Sequence, residues 1–152
     1  MWLGEIGGNL KNRKGFSLLE LLIVVAIILI VATIAIPSLL RSRQSANESA
    51  AVANMRNLNT AQVSYSSTNG TYGSMTNLIA LGLLDDRYST ANFNGYRFTL
   101  ALSGNSLDYT AYANGLSPNT SRYDFYSTPG FVIRYTTAAS RAPAGMNGDP
   151  VQ

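Results

Sequence analysis

Of the residues able to do chemistry, Glu20 is set apart by its surroundings: it is a carboxylate inside an apolar run, Phe16 to Ile36, broken otherwise only by Ser17 and Thr33. The usual catalytic types are missing. The chain has no cysteine and no histidine, which removes disulfides, thiol nucleophiles, thiolate zinc sites and the commonest general base. Asp85-Asp86 could offer oxygens to calcium, but that ion takes about 6–8 of them and no third oxygen cluster accompanies the pair. Turn capping by Asp is the better reading. All nine tyrosines lie beyond residue 60. They could form an adhesive surface or an electron path, yet most alternate with polar residues at strand spacing, so core packing explains them first. Arg97, Arg122 and Arg134 are expected to bridge to Asp108 and Asp124 across strands. No Gly-rich phosphate loop, nucleophile elbow or paired-carboxylate spacing is present, and no active site, cofactor or metal is predicted.

The elements that hold Glu20 are unevenly distributed along the 152 residues. Hydrophobic content is 46% with only 12% charged residues, but the apolar share concentrates in Phe16–Ile36, and beyond Arg41 the chain is rich in Asn, Ser, Thr and Tyr. The net charge of +3 suggests a nucleic-acid partner. It comes largely from Lys11, Arg13 and Lys14. After residue 15 there are eight basic residues against seven acidic ones, too even a balance for a polyanion surface, and no nucleic-acid partner is predicted.

About 20 helical residues cross a hydrocarbon core of about 30 Å, so the run is long enough to span a membrane. It exceeds the apolar core of about 7–15 residues in a secretory signal, and residues 32–37 lack the small-x-small cleavage pattern. An ordinary anchor remains possible, although the flanking charges Lys11, Arg13 and Lys14 are nearly matched by Arg41 and Arg43. Glu20 bears on the choice. A carboxylate costs roughly 2.5–3.5 kcal/mol at a bilayer centre, so it either sits at the interface or is kept for a cationic partner. The run offers no Lys or Arg. A free α-amine would serve if the chain were cut just before the run.

Lys14-Gly15-Phe16-Ser17-Leu18-Leu19-Glu20-Leu21-Leu22, followed by the apolar stretch and Pro37, resembles the class III signal of type IV prepilins and type II secretion pseudopilins. The resemblance is close over residues 11–40 and architectural beyond. It implies cleavage by prepilin peptidase between Gly15 and Phe16 on the cytoplasmic side, and N-methylation of Phe16. It also implies that Glu20 pairs with the Phe16 amine of a neighbouring subunit during assembly, with Pro37 as a second assembly feature of the helix. Leu29 stands where many members have glycine, which makes local melting of the helix during assembly less secure. Major pseudopilins carry an Asp-Pro-Trp-Gly-type calcium loop near the C-terminus. Here no tryptophan follows Trp2, the only Asp-Pro is Asp149-Pro150, and the C-terminal disulfide of many type IV pilins is missing.

Pro37 bends or breaks a helix, yet Ala51, Met55, Leu58, Ala61 and Tyr65 recur at helical spacing, with Arg56, Asn57, Asn59 and Gln62 falling elsewhere. The helix is therefore expected to resume and to end near Thr68-Asn69-Gly70. Ser74–Gly82 reads as a short helix with Ser74 as N-cap and Gly82 as terminator, followed by Leu83, Leu84 and Phe93 pinning a loop to the core. Tyr96, Phe98, Leu100 and Leu102 alternate as a strand, as do Leu107, Tyr109, Ala111 and Ala113 after a Ser103-Gly104-Asn105 turn. Tyr123–Ser127 and Phe131–Thr136 complete four antiparallel strands, and Ala138–Gln152 reads as an irregular tail. The expected fold is α+β and pilin-like. It comprises a leader over 1–15, a helix over 16–67 whose residues 16–36 are transmembrane and form the filament core, and a head over 68–152 with a four-stranded antiparallel sheet.

The resemblance implies a structural subunit of a type IV pilus-like filament rather than an enzyme. Its partners would be identical subunits, prepilin peptidase, inner-membrane lipid before assembly, and the assembly machinery. A pseudopilin of type II secretion in a periplasmic pseudopilus is the alternative. A tethered binding module that never polymerises is the rival from another class, but a plain tether needs neither Glu20 nor the Lys14-Gly15-Phe16 junction.

Overall fold

A computed structural model describes residues 15–90, 92–137 and 149–151 of the chain. The expected leader, except Gly15, and most of the expected tail lie outside them. Helix α1 spans Leu18–Asn69 and passes through Pro37, because the aliphatic and small residues on either side favour helix strongly enough to absorb one lost backbone donor. It stops where Gly70 takes a left-handed φ of 71° and returns its amide to the Ser66 carbonyl at 2.8 Å, as a helix terminus requires. The chain divides into two compact units at Pro37/Ser38.

Within the second unit the buried stripe of α1 includes the anticipated Ala51, Met55, Leu58 and Ala61. It is wider than the periodicity indicated. Asn59 and Gln62, expected off the stripe, are buried, as are Glu48 and Asn54. Each of these four has polar partners, which is the condition for burying such groups. Gln62 clamps the backbone of Gly73 from both sides: its Nε2 donates to the carbonyl at 2.7 Å and its Oε1 accepts from the amide at 3.0 Å. The loop after α1 is thereby tied back to it. Helix α2, Met75–Ala80, begins at Ser74, whose hydroxyl accepts from the Asn77 amide at 3.2 Å. It ends in a Schellman turn, with Gly82 donating to Ile79 and Leu83 to Leu78, both at 2.9 Å. Leu84 is buried and Phe93 half-buried, whereas Leu83 is exposed.

The sheet has six strands rather than four, β1 Asn92–Phe93, β2 Tyr96–Leu102, β3 Tyr109–Gly115, β4 Tyr123–Ser127, β5 Ile133–Thr137 and β6 Asp149–Pro150, in the order β1-β2-β3-β4-β5-β6 and antiparallel throughout. The first addition comes from Asn94-Gly95. Both residues have positive φ, 51° and 75°, the pair needed for a two-residue hairpin turn. The second is Asp149-Pro150, part of the tail expected to be irregular, which pairs with Tyr135 and Arg134 of β5. Two strand starts also move. Leu107, expected inward, is exposed, because Ser103–Asp108 closes by side-chain bonds: Asn105 Oδ1 accepts from the Leu107 amide and Ser103 Oγ from that of Asp108. Phe131 lies in the preceding turn with φ 59°, not in β5.

The inward face of β2, β3, β4 and β5 presents Tyr96, Phe98, Tyr109, Ala111, Ala113, Phe125 and Ile133 to the α1 stripe. Burying side chains such as Met55 or Leu58 stabilises this core by about 1.5–3 kcal/mol each. Two of the phenols that enter it are satisfied, Tyr96 donating to the Tyr123 carbonyl at 2.8 Å and Tyr109 to Asn59 Oδ1 at 2.9 Å, whereas the buried Tyr126 hydroxyl has no partner.

Candidate assembly site at the helix N-terminus

Gly15 and Phe16 lie just before α1, and both are exposed. Nothing approaches within 4 Å of where a Gly15 side chain would stand. Ser17 is the N-cap. Its hydroxyl accepts from the Leu19 amide at 3.3 Å, and the Glu20 carboxylate accepts from the Ser17 amide at 2.9 Å. Ser17-Leu18-Leu19-Glu20 is therefore a capping box, the Ser-x-x-Glu arrangement that satisfies orphan amides at a helix start. The Ser-x-x-Glu spacing of this box is local and stands in the sequence itself.

The geometry gives Glu20 a partner within its own chain and brings the carboxylate to the residue adjoining Phe16. A negative charge in the first turn also opposes the positive pole of the helix. Pro37 belongs to another level of the helix, 17 residues beyond Glu20, which is about 25 Å at helical rise. From Leu18 to Leu40 every large aliphatic side chain is exposed, and the segment is long and apolar enough to cross a membrane. Such a stripe cannot stand in water without a covering of lipid or other helices.

Several charged groups of the head hold its loops. Glu48, buried on α1, accepts from the Arg122 amide at 2.9 Å and from both arms of its guanidinium, at 3.1 and 2.7 Å. Hydrogen bonding to Glu48 followed by its charge raises the Arg122 pKa further. Asn47 and Gln44 bind the Thr120 and Pro118 carbonyls at 2.9 and 2.7 Å, so one helix edge secures the whole β3–β4 loop. This corrects the cross-strand bridges expected of Arg97 and Arg122. Arg122 pairs with Glu48, Arg97 donates to Asn92, and Asp124 accepts from the Gly115 amide at 2.7 Å. Gly115 tolerates no side chain there, since a Cβ would overlap Ser121 Oγ. Asp85 caps the 3₁₀ turn Asp86–Ser89, taking the Arg87 amide at 2.8 Å, and that bond holds its pKa below the usual carboxylate value. Among the described residues no group of three His, Cys, Asp or Glu side chains could hold a metal ion.

The family model for the prokaryotic N-terminal methylation motif matches residues 10–36. Over 75 residues, 49% of the chain, the sequence is 44% identical to the type IV wide pilus major component PilA4 of Thermus thermophilus, covering 57% of that protein. Over 93 residues, 61% of the chain, it is 42% identical to the type IV major pilin protein PilA of Myxococcus xanthus, covering 40% of it. The chain thus spans about half the length of these curated relatives. The methylation motif near its N-terminus, the long helix behind that motif and the antiparallel sheet packed on the helix accompany a sequence similarity to two type IV pilins over about half of the chain.

Proposed function

We propose that the chain is a structural subunit, not an enzyme, of a type IV pilus-like surface filament. In this reading prepilin peptidase cuts between Gly15 and Phe16, Phe16 is N-methylated, residues 16–36 store the subunit in the inner membrane, and the assembly machinery then packs these helices into the filament core. The observation that carries the proposal is Glu20, a charged residue in the first turn of an exposed apolar helix. One of its oxygens takes the Ser17 amide. In lipid the negative charge still lacks a counter-charge, and the Phe16 amine of a neighbouring copy would provide it. Pro37 closes the Phe16–Ile36 run, and the helix continues past it despite the lost donor.

Glu20→Ala tests the pairing. Removing the carboxylate should leave membrane insertion intact or improved, while filaments recovered by shearing become sparse or absent. Electron microscopy of the sheared material, with membrane fractions blotted alongside, reads both. Normal filament yield from the Ala variant would sink the role assigned to Glu20.

A further inference from the structure

Four side-chain oxygens among the described residues are cut off from solvent and have no hydrogen-bond partner: Asn114 Oδ1, Asp124 Oδ2, Tyr126 Oη and Thr136 Oγ1. They are neighbours in the fold. Along β3, β4 and β5 the core takes Ala111, Ala113, Phe125, Ile133 and Tyr135. Alternation therefore turns Asn114, Asp124, Tyr126 and Thr136 to the opposite face of the sheet. Asp124 pairs with Thr136 across β4 and β5. On its other side, the register that sets Ala113 against Phe125 brings Asn114 level with Asp124. Three orphan oxygens thus belong to one cross-strand row, in which neighbouring Cβ atoms stand about 4.5–5.5 Å apart. Tyr126 begins the next row.

Asp124 is the member that most needs a partner, because it is fully buried. Its Oδ1 accepts from the Gly115 amide at 2.7 Å, while Oδ2 accepts from nothing. A buried carboxylate left in that state is costly unless further donors or a positive charge meet it. Arg122, two residues away, is engaged through two guanidinium nitrogens by Glu48. The groups that flank Asp124 in its row add oxygens, an amide carbonyl and a hydroxyl.

A carboxylate, a carbonyl and a hydroxyl have one ligand in common, a hard cation bound through oxygen. Charge limits which one. The row supplies a single carboxylate, and Arg134 stands opposite Tyr126 on the next row. Such a site suits sodium, or calcium held weakly with water completing its shell, because calcium affinity falls with the number of charged ligands.

We propose that the outer face of β3, β4 and β5 binds a hard metal cation, sodium or calcium, through Asp124 Oδ2, Asn114 Oδ1 and Thr136 Oγ1. The ion joins three adjacent strands on the face that α1 does not cover, and so stabilises the head. The site concerns the folded head alone and stands independently of the filament reading.

Melting of the full chain in detergent micelles tests it. The protein is stripped with chelator, placed in tetramethylammonium chloride, and titrated with sodium or calcium chloride at constant ionic strength. One of the two salts should raise the melting temperature saturably, by about 5 °C at ten times the half-saturating concentration, and the effective salt identifies the ion. Asp124→Asn keeps an oxygen for the Gly115 amide but removes the charge. It should melt at or above the wild type in tetramethylammonium and gain nothing from either salt. Equal wild-type melting temperatures in all three salts overturn the proposal, leaving water to fill the row. A rise that survives in Asp124→Asn also overturns it, since the ion would then bind elsewhere. Should Asp124→Asn fail to fold, Asn114→Ala and Thr136→Val decide. Each should raise the half-saturating concentration about tenfold, the loss of one ligand, and an unchanged concentration in both overturns the site.

Discussion

At the residue scale, the head depends on buried polar groups, most of which have a specific partner, Tyr126 Oη and Thr136 Oγ1 being exceptions. The phenols show this most directly. Burial raises the pKa values of Tyr88, Tyr96 and Tyr109 above the ordinary value, with nearby Glu48 adding to the effect at Tyr96 and Tyr72 at Tyr109. A raised phenol pKa means the folded state disfavours phenolate. Stability is therefore intact below about pH 10, the unfolded value, and falls as pH rises beyond it. Titration followed by phenolate absorbance should show part of the tyrosine population ionising late, together with alkaline unfolding of the head. Nine tyrosines titrating together near the ordinary value, with the head still folded, would contradict the burial described for these three.

At the element scale, α1 has to face two different environments, and its second half does so with apolar positions flanked by bonded amides. Met55 is fully buried, whereas Arg56, one position on, is exposed. Met55→Asp should cost several kcal/mol by burying an unpaired charge, while Arg56→Asp should stay within about 0.5 kcal/mol. Gln62→Leu keeps the volume but removes both bonds to Gly73; leaving buried backbone groups unpaired costs about 1–3 kcal/mol each. Thermal unfolding of the full chain in detergent micelles measures all three. Equal melting temperatures for the Met55 and Arg56 variants would mean that the register of the buried stripe is wrong.

At the scale of the whole molecule, composition makes processing visible. The only lysines are Lys11 and Lys14, both before the proposed cut. A mature subunit would keep one amine, at Phe16, secondary after methylation and still protonated at neutral pH. The arginines do not substitute for lysine, because the guanidinium stays protonated and nucleophilically inert. Amine-reactive dye should label denatured precursor strongly and the mature subunit hardly at all. Equal labelling of denatured protein from cells with and without prepilin peptidase would mean that the leader is retained.

Local periodicity and short-range chemistry determined much of this fold. Spacing of 3 and 4 located the inner stripe of α1, Asn69-Gly70 its end, Ser74 and Gly82 the limits of α2, and alternation the inward faces of β2 and β3. Each depends on contacts within a few residues, where the sequence neighbour is also the spatial one. The capping box at Ser17 and Glu20 and the Asn94-Gly95 turn were equally local, and were open to the same reading. Other features were decided only by the tertiary structure. Arg122 chooses Glu48 across 74 residues and Asn59 chooses Ser127 across 68, while β6 forms because Asp149-Pro150 meets β5. Most polar side chains are buried where packing brings them a partner, and no repeat along the chain encodes which distant group that will be.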